Sequence, residues 1–386
     1  MEGFDKNYEY TLDFGDKMLA VIRSVFRNSP EFRHDSLKHV ARVAPYVPLL
    51  GGKPDLSPEL KTVIRFRDGS APIALSSPII LAAGANKTAY RIADYANLGF
   101  GGISVGTVTR NFREGNTHRP RIGFLEHDRA IYNSMGLNND GVEAVSNRVR
   151  EQIDSAHEKG LSVGISVAET PGLSSETEKL ADVLECFARA YDCADYIEVN
   201  VSCPNTGENR LDTDTHFVEA LFSELMSFRK DKPKKAVYAK LSPDLSENAL
   251  SKTLEVLARL GVPGVVLGNT YPTKKIASLS MKARYEDLKT LRDDGDKGGL
   301  SGRPLYPNTL ALTSFVKSEF PDLSVIACGG IDHGKKIFDL MSLGADAVEC
   351  YSVCAFRWMP AHAMRRELLK SLSEANLKDI SGLRIK

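Results

Sequence analysis

Asp195-Tyr-Ile-Glu-Val-Asn-Val-Ser-Cys-Pro-Asn-Thr-Gly-Glu-Asn-Arg210 joins a short apolar run to a cluster of small polar groups. Residues 195–201 are rich in β-branched and aromatic side chains and stop at a Pro-Asn-Thr-Gly turn signal, so they read as a strand running into a loop. The loop gathers Asn200, Ser202, Cys203, Asn205 and Thr206. Its amides and hydroxyls suit a flat polar ligand, and Cys203 is the one side chain there able to take a proton near neutral pH. The same residues also describe a buried structural cysteine ahead of an Asn-rich turn, because free cysteines often pack as small hydrophobes. The surrounding chain has to decide between the two.

Strand and helix patterns alternate eight times around this stretch. Strand-like runs lie at 79–83, 102–107, 161–167, 196–201, 236–241, 264–268, 324–328 and 347–351. Helical patterns between them lie at 88–98, 140–159, 175–193, 215–229, 247–260, 307–320 and 335–343, with 361–373 closing the set. Apolar strands alternating with helices call for a parallel sheet covered by helices. Eight repeats fit a closed (β/α)8 TIM barrel of the α/β class better than an open sheet.

A barrel places its chemistry in the loops after the C-terminal strand ends. The first strand is followed there by Ala83-Gly84-Ala85-Asn86-Lys87 and the second by Thr107. Asn200 to Thr206 follow the fourth, Asn269-Thr270 the sixth, Cys328-Gly329-Gly330 the seventh and Tyr351-Ser352 the eighth. Glycine pairs can be mere tight turns, but after the seventh strand of a barrel they are well placed to bind phosphate through backbone N–H groups. A phosphate-bearing cofactor is therefore expected. Lys240, within Val237-Tyr-Ala-Lys-Leu241, should point into the barrel, where a buried cation needs an anionic partner; the negative charge of a reduced flavin would supply it. Two long loops, after the second and sixth strands, carry Asn133-Ser134-Met135-Gly136-Leu137 and Gly298-Gly-Leu-Ser-Gly302-Arg-Pro304 and should cover the site.

The 386 residues are 42% apolar and 26% charged, which suits a large globular chain, and 50 basic residues balance 50 acidic ones. No global field points to nucleic acid. No run of 18 apolar residues can span a membrane, and Met1 to Asp16 resembles neither a secretory signal nor a mitochondrial presequence. Six cysteines without Cys-x-x-Cys or zinc spacing suggest reduced thiols and no metal. Before the barrel, 17–28 and 36–47 read as two basic amphipathic helices that either pack on the barrel or lie on an anionic membrane surface. A Pro/Gly-rich linker then divides a helical extension, 1–60, from the barrel, 61–386. Residues 63–75 read as a hairpin around Asp68-Gly69.

From about residue 29 to 370 the chain resembles the dihydroorotate dehydrogenases, flavin-dependent barrel enzymes of pyrimidine synthesis. The resemblance is carried by Ala82-Ala83-Gly84-x-x-Lys87, Gly106-Thr-Val-Thr109 with Glu114-Gly-Asn116, Asn133-Ser-Met-Gly136, Asn200-Val-Ser-Cys-Pro-Asn-Thr206 and Gly298-Gly-Leu-Ser-Gly-Arg-Pro-Leu305. It implies FMN as cofactor and Cys203 as the general base that removes a proton from C5 of dihydroorotate while hydride leaves C6 for the flavin, giving orotate. It also implies a substrate site at Lys87, Asn133, Ser134, Met135, Gly136, Leu137, Asn200, Asn205, Asn269 and Thr270. The implied flavin contacts are Ala83, Gly84, Ala85, Asn86, Lys87, Thr107, Ser166, Asn200, Lys240, Gly268, Gly302, Gly330, Tyr351 and Ser352. A free thiol, with a pKa of about 8.5, is nearer working pH than a serine hydroxyl.

On the electron acceptor the resemblance divides. Ser29-Pro30-Glu31-x-x-His34 and the helices around it are similar to the extension of the membrane-associated class that reduces quinone, which implies a peripheral location on the cytoplasmic side of a membrane and an approach path for quinone. Cys203 and Leu137 are similar instead to the soluble class that uses fumarate or NAD. Both readings keep the flavin half-reaction, and a related dihydropyrimidine is the alternative substrate. The joint presence of Cys203, Lys87 and the asparagine set argues against a barrel that binds flavin without turnover.

Overall fold

The computed structural model describes Lys17 and residues 57–202, 215–282 and 298–384. Apart from Lys17, the two expected N-terminal helices and all of their linker before residue 57 fall outside these residues, as do Cys203, Asn205 and Thr206. In chain order the described elements begin with β1 (Thr62–Ile64), β2 (Ile73–Leu75), β3 (Ile79–Leu81), β4 (Gly102–Val108), β5 (Ile122–Leu125) and β6 (Ala130–Asn133). Helices and strands then alternate as α1 (Val142–Glu158), β7 (Ser162–Val167), α2 (Glu176–Tyr191), β8 (Tyr196–Asn200), α3 (His216–Arg229), β9 (Ala236–Leu241), α4 (Glu247–Arg259) and β10 (Gly264–Leu267). After β11 (Tyr271–Pro272) and β12 (Gly299–Gly302) come α5 (Tyr306–Glu319), β13 (Ser324–Cys328), α6 (Gly334–Ser342), β14 (Ala347–Cys350) and α7 (Pro360–Glu374).

Eight strands close into a parallel barrel in the order β3, β4, β7, β8, β9, β10, β13, β14, with β14 returning to β3. These are the eight strands expected from the sequence, within a residue or two at each end. Side chains alternate along each strand. Ile197, Val199, Val237 and Ala239 join the large core under the helices, whereas Tyr196, Ala236, Tyr238, Val266 and Ile326 form a second cluster inside the barrel. The Tyr196 and Tyr238 rings meet edge to face, 6.0 Å apart. Gly164 and Gly264 make room for them, since a Cβ at either position would run into a tyrosine ring.

The helices cover the outside with apolar stripes. Along α2 the buried positions Val183, Cys186, Phe187, Ala190 and Tyr191 repeat at three- and four-residue intervals, and a Ser175/Glu178 capping box fixes where it starts. The expected hairpin forms as the antiparallel pair β1–β2. It packs Ile64, Ile73 and Leu75 against the inner cluster and so plugs the end of the barrel away from the site. Arg229, at the end of α3, holds it there through Asp68 (2.5 Å) and a hydrogen bond to Ser70.

Two features differ from the sequence expectation. The helix expected over 88–98 is a shorter 3-10 helix, Ile92–Leu98, because side chains capture the backbone groups its first turn would use. Asn86 bonds both the N–H and the C=O of Tyr90, and Gln152 of α1 bonds Ala89 and Ile92, while Ala89 and Arg91 have positive φ. The two long loops are also more than covers. β5 and β6 form a hairpin whose second strand pairs with β12, and β12 pairs with β11, giving a four-stranded antiparallel sheet over the barrel mouth.

The Arg229 latch predicts a stability effect. Arg229→Ala leaves Asp68 without its cation at a partly buried site and should lower the unfolding free energy by about 2 kcal/mol in urea denaturation. Lys230→Ala, on the exposed surface nearby, should change it by less than about 0.5 kcal/mol.

Candidate functional site

A cavity of about 1290 Å3, its open mouth included, lies between the C-terminal strand ends and the antiparallel sheet. Of the residues singled out in the sequence, Ala83, Gly84, Lys87, Thr107, Asn133, Met135, Leu137, Asn200, Lys240, Asn269, Thr270, Gly302, Gly330, Tyr351 and Ser352 line it. Residues more than two hundred positions apart are thus brought into one wall by barrel closure.

Six others stand behind that wall. Ser134 is fully buried and bonds His118 (2.7 Å). Ser166 is fully buried against Thr107 (3.0 Å), Asn86 is committed to Tyr90, and Ala85 packs in the core. Gly136 lies under Asn116, and Gly268 lies so close to the Cys328 carbonyl that no side chain fits there.

The strand ends carry a continuous amide network. Asn269 Nδ2 donates to Asn200 Oδ1 (3.2 Å) and Ser202 Oγ (3.1 Å), while Asn200 Nδ2 donates to Thr107 Oγ1 (3.2 Å). Lys87 Nζ donates to Asn138 Oδ1 (2.7 Å). These fixed donors and acceptors surround a space for a flat heterocycle.

The floor holds an ionic cluster that the sequence reading missed. Lys240 Nζ lies 2.7 Å from Glu349 Oε2 and 3.2 Å from Glu198 Oε2, and all three side chains are buried. The partner of Lys240 is therefore the protein itself, which corrects the expectation that a cofactor alone supplies the negative charge. The signal was present: Glu198 alternates with Tyr196 and Asn200 on β8, which puts all three on the inner face. Ser104 bonds both carboxyls, at 2.7 Å for Glu349 Oε1. Burial and then the neighbouring Glu349 push Glu198 up to about 8, whereas at Glu349 burial is overcome by the Lys240 charge together with hydrogen bonds, those from Lys240 and Ser104 among them, and that carboxyl is held below its ordinary range. Lys240 is raised despite burial by the two carboxyls.

At the other end Gly329 and Gly330 have positive φ, and a Cβ on Gly330 would come within 2.5 Å of the Tyr306 backbone nitrogen. Arg303 and Lys336 both bind Asp332 at 2.7 Å, and His333 does so at 2.8 Å. Burial alone would raise Asp332, but these three donors overcome it and hold the carboxyl well below its ordinary range. This end combines backbone N–H groups with two cations, a donor set that fits a phosphate. Arg303, Asp332 and Lys336 were not anticipated from the sequence, since only the fold brings the ends of β12 and β13 together.

Fold and site together define a barrel enzyme shaped for a cofactor with a flat polar ring at one end and a phosphate at the other. The chain belongs to the dihydroorotate dehydrogenase family, whose sequence profile it matches over residues 71–372. It is 32% identical over 313 residues to the dihydroorotate dehydrogenase (quinone) of Natronomonas pharaonis, covering 80% of this chain and 83% of that one. The protein of the same name from Xanthomonas axonopodis pv. citri is 32% identical over 288 residues, 73% of this chain and 77% of its own. The Eimeria tenella enzyme in complex with ferulenol superposes with a TM-score of 0.76 at 25% identity, covering 92% of this chain and 94% of that one. The cofactor of the family, FMN, has the ring and the phosphate for which the two ends of the cavity are suited.

The ionic floor predicts a pH dependence of stability. Glu198 keeps its proton in the folded chain up to about pH 8, whereas an unfolded glutamate releases it near 4.3. Its contribution is complete below that lower value and is lost as pH rises towards 8. Glu349 is shifted down and Lys240 up, so their contributions change outside this window. Stability should therefore fall on the order of 1 kcal/mol per pH unit within it. Glu198→Gln should flatten that decline, seen as a smaller difference in denaturation midpoint between about pH 5.5 and pH 8 than in the unsubstituted chain.

Proposed function

We propose that the cavity holds FMN and dihydroorotate together, that Cys203 is the general base for oxidation of dihydroorotate to orotate, and that the electrons pass on to a quinone. The observation that carries this reading is the Asn200–Asn269–Thr107 amide network beside Lys240 in one cavity with Lys87 and Asn133. When bound, FMN accepts the hydrogen and electron pair that leave C6 of the substrate. Cys203 lies three positions after β8 in the sequence, barrels carry catalytic groups on the segments that follow their strands, and in this reading it takes the C5 proton. Asn133, Asn200, Asn205, Asn269 and Thr270 bind the substrate carboxylate and ring amides, with Lys87 beside them. Gly84, Thr107, Asn200 and Lys240 hold the flavin ring. Gly302, Gly330, Tyr351 and Ser352 form the phosphate end, where Ser352 Oγ donates to Ser301 Oγ at 2.8 Å.

The quinone acceptor is supported by the relatives named dihydroorotate dehydrogenase (quinone) and by the basic amphipathic patterns at 17–28 and 36–47. In this reading 1–60 is an extension that meets the cytoplasmic face of a membrane and gives quinone its approach. Among the described residues no helix is long and apolar enough to cross a membrane.

Anaerobic addition of dihydroorotate to the purified yellow protein should bleach the flavin band within seconds, and a long-chain quinone should restore it faster than fumarate does. A flavin that stays oxidised would remove dihydroorotate as the substrate, and faster recovery with fumarate would reverse the acceptor. Cys203→Ala should bind FMN normally and slow bleaching by about 10²–10⁴-fold; bleaching at the unsubstituted rate would exclude Cys203 as the base. A chain beginning near Lys61 should lose turnover with long-chain quinone and keep the bleaching step.

A further inference from the structure

Glu198, Glu349 and Ser104 have no part in the mechanism above, although they occupy the barrel axis beneath the cavity. Glu349 and Lys240 form its floor, and Glu198 lies one hydrogen bond deeper. A proton count defines their state. Ser104 Oγ contacts Glu198 Oε1, Glu349 Oε1 and the Tyr196 hydroxyl (3.0 Å), yet a hydroxyl has one proton to donate. Two ionised carboxylates converging on that oxygen would leave one facing a lone pair. One proton must therefore reside on the carboxyl pair, both members of which also accept from Lys240 Nζ. With the Lys240 ammonium, the cluster is then neutral.

We propose that Glu198 and Glu349 are positioning residues that set the charge Lys240 presents to the flavin: by sharing one proton they cancel that charge and hold the reduction potential down. The inference rests on the reading that this cavity holds FMN. A cation beside a ring that becomes negative on reduction favours the reduced form, and buried carboxylates that neutralise the cation remove that preference. The groups facing the pair are Ser104 on β4, Tyr196 on β8, Tyr238 and Lys240 on β9, and Cys328 on β13. Burial drives both tyrosines well up and Cys328 up to about 12, so between pH 6 and pH 9 the shared carboxyl proton is the one that can leave.

The test is a set of reduction potentials measured on flavin-loaded protein by spectroelectrochemistry, with circular dichroism and flavin stoichiometry confirming fold and occupancy. Glu198→Gln or Glu349→Gln alone leaves the surviving carboxylate to ionise against Lys240, so the cluster stays neutral and the potential at pH 7 should barely move. The double substitution leaves Lys240 uncompensated and should favour reduction at least tenfold, a rise of about 30 mV for a two-electron couple. Small single effects with a large double effect are the signature of a shared proton. A folded, flavin-loaded double variant with the unsubstituted potential overturns the inference.

The pH profile tests the same proposal without the double variant. The potential of the unsubstituted protein should fall more steeply above about pH 8, where the pair loses its proton, and Glu198→Gln should remove that extra fall. Superimposable profiles overturn the inference. Unsubstituted protein that takes up no FMN overturns the cavity assignment itself, an outcome distinct from either of these.

Discussion

One ammonium held between two carboxyls on the barrel axis is the constraint on which the site depends. A barrel interior ordinarily fills with packed apolar side chains. This one is apolar only in its lower half, where Tyr196, Tyr238, Val266 and Ile326 meet. Above them Ser104, Glu198, Lys240 and Glu349 replace hydrocarbon with charge, at a desolvation cost that only close mutual pairing offsets. Each comes from a different strand, so the pairing exists only if β4, β8, β9 and β14 close in a single register. Register and electrostatics specify one another: a one-residue slip would turn a carboxyl into the apolar layer beneath the helices.

The same economy shapes the phosphate end. Arg303 and Lys336 could bind an anion directly, but they already share Asp332. The cavity thus carries cations at both ends, each held by a carboxylate of the chain. Such a site can fold before any cofactor arrives, since Lys240, Arg303 and Lys336 are each already paired with a carboxylate and held in place by the bonds they make. Binding then exchanges or supplements partners instead of ordering loose side chains, which keeps the entropic cost of association low.

The barrel was legible because its signal is cumulative. Eight apolar runs separated by amphipathic segments specify a topology even where individual ends shift by a residue, and period-two alternation fixes which face is inward. The site was legible where a single short motif carried it, as with Asn200 and Thr107. It was obscure where a residue's meaning depends on its partners. Lys240 reads from its own strand as buried and in need of an anion, but that Glu198 and Glu349 supply it follows only from the barrel closure that sets β8, β9 and β14 around one axis. Glu349 is obscure because its contacts with Ser104 and Lys240 span more than a hundred residues, whereas Asp332 is defined by His333 and Lys336 beside it and by Arg303, which only the meeting of the β12 and β13 ends brings near. The short helix at Ile92–Leu98 failed differently, because side chains from Asn86 and from distant Gln152 outcompeted the helix for its own backbone.

The antiparallel sheet completes the argument about what such a site requires. A flat ring bound at the barrel mouth would be open to water on one face, and hydride chemistry needs that face covered. Here the cover is built from two insertions that meet only in three dimensions: β5 and β6 from one, β11 and β12 from the other, joined through backbone hydrogen bonds between β6 and β12. Asn133 ends β6 and Gly302 ends β12, so the strands that close the cavity also carry residues of its wall. Cover and wall cannot be separated, and a change that loosened the β6–β12 pairing would disturb both ends of the cavity at once.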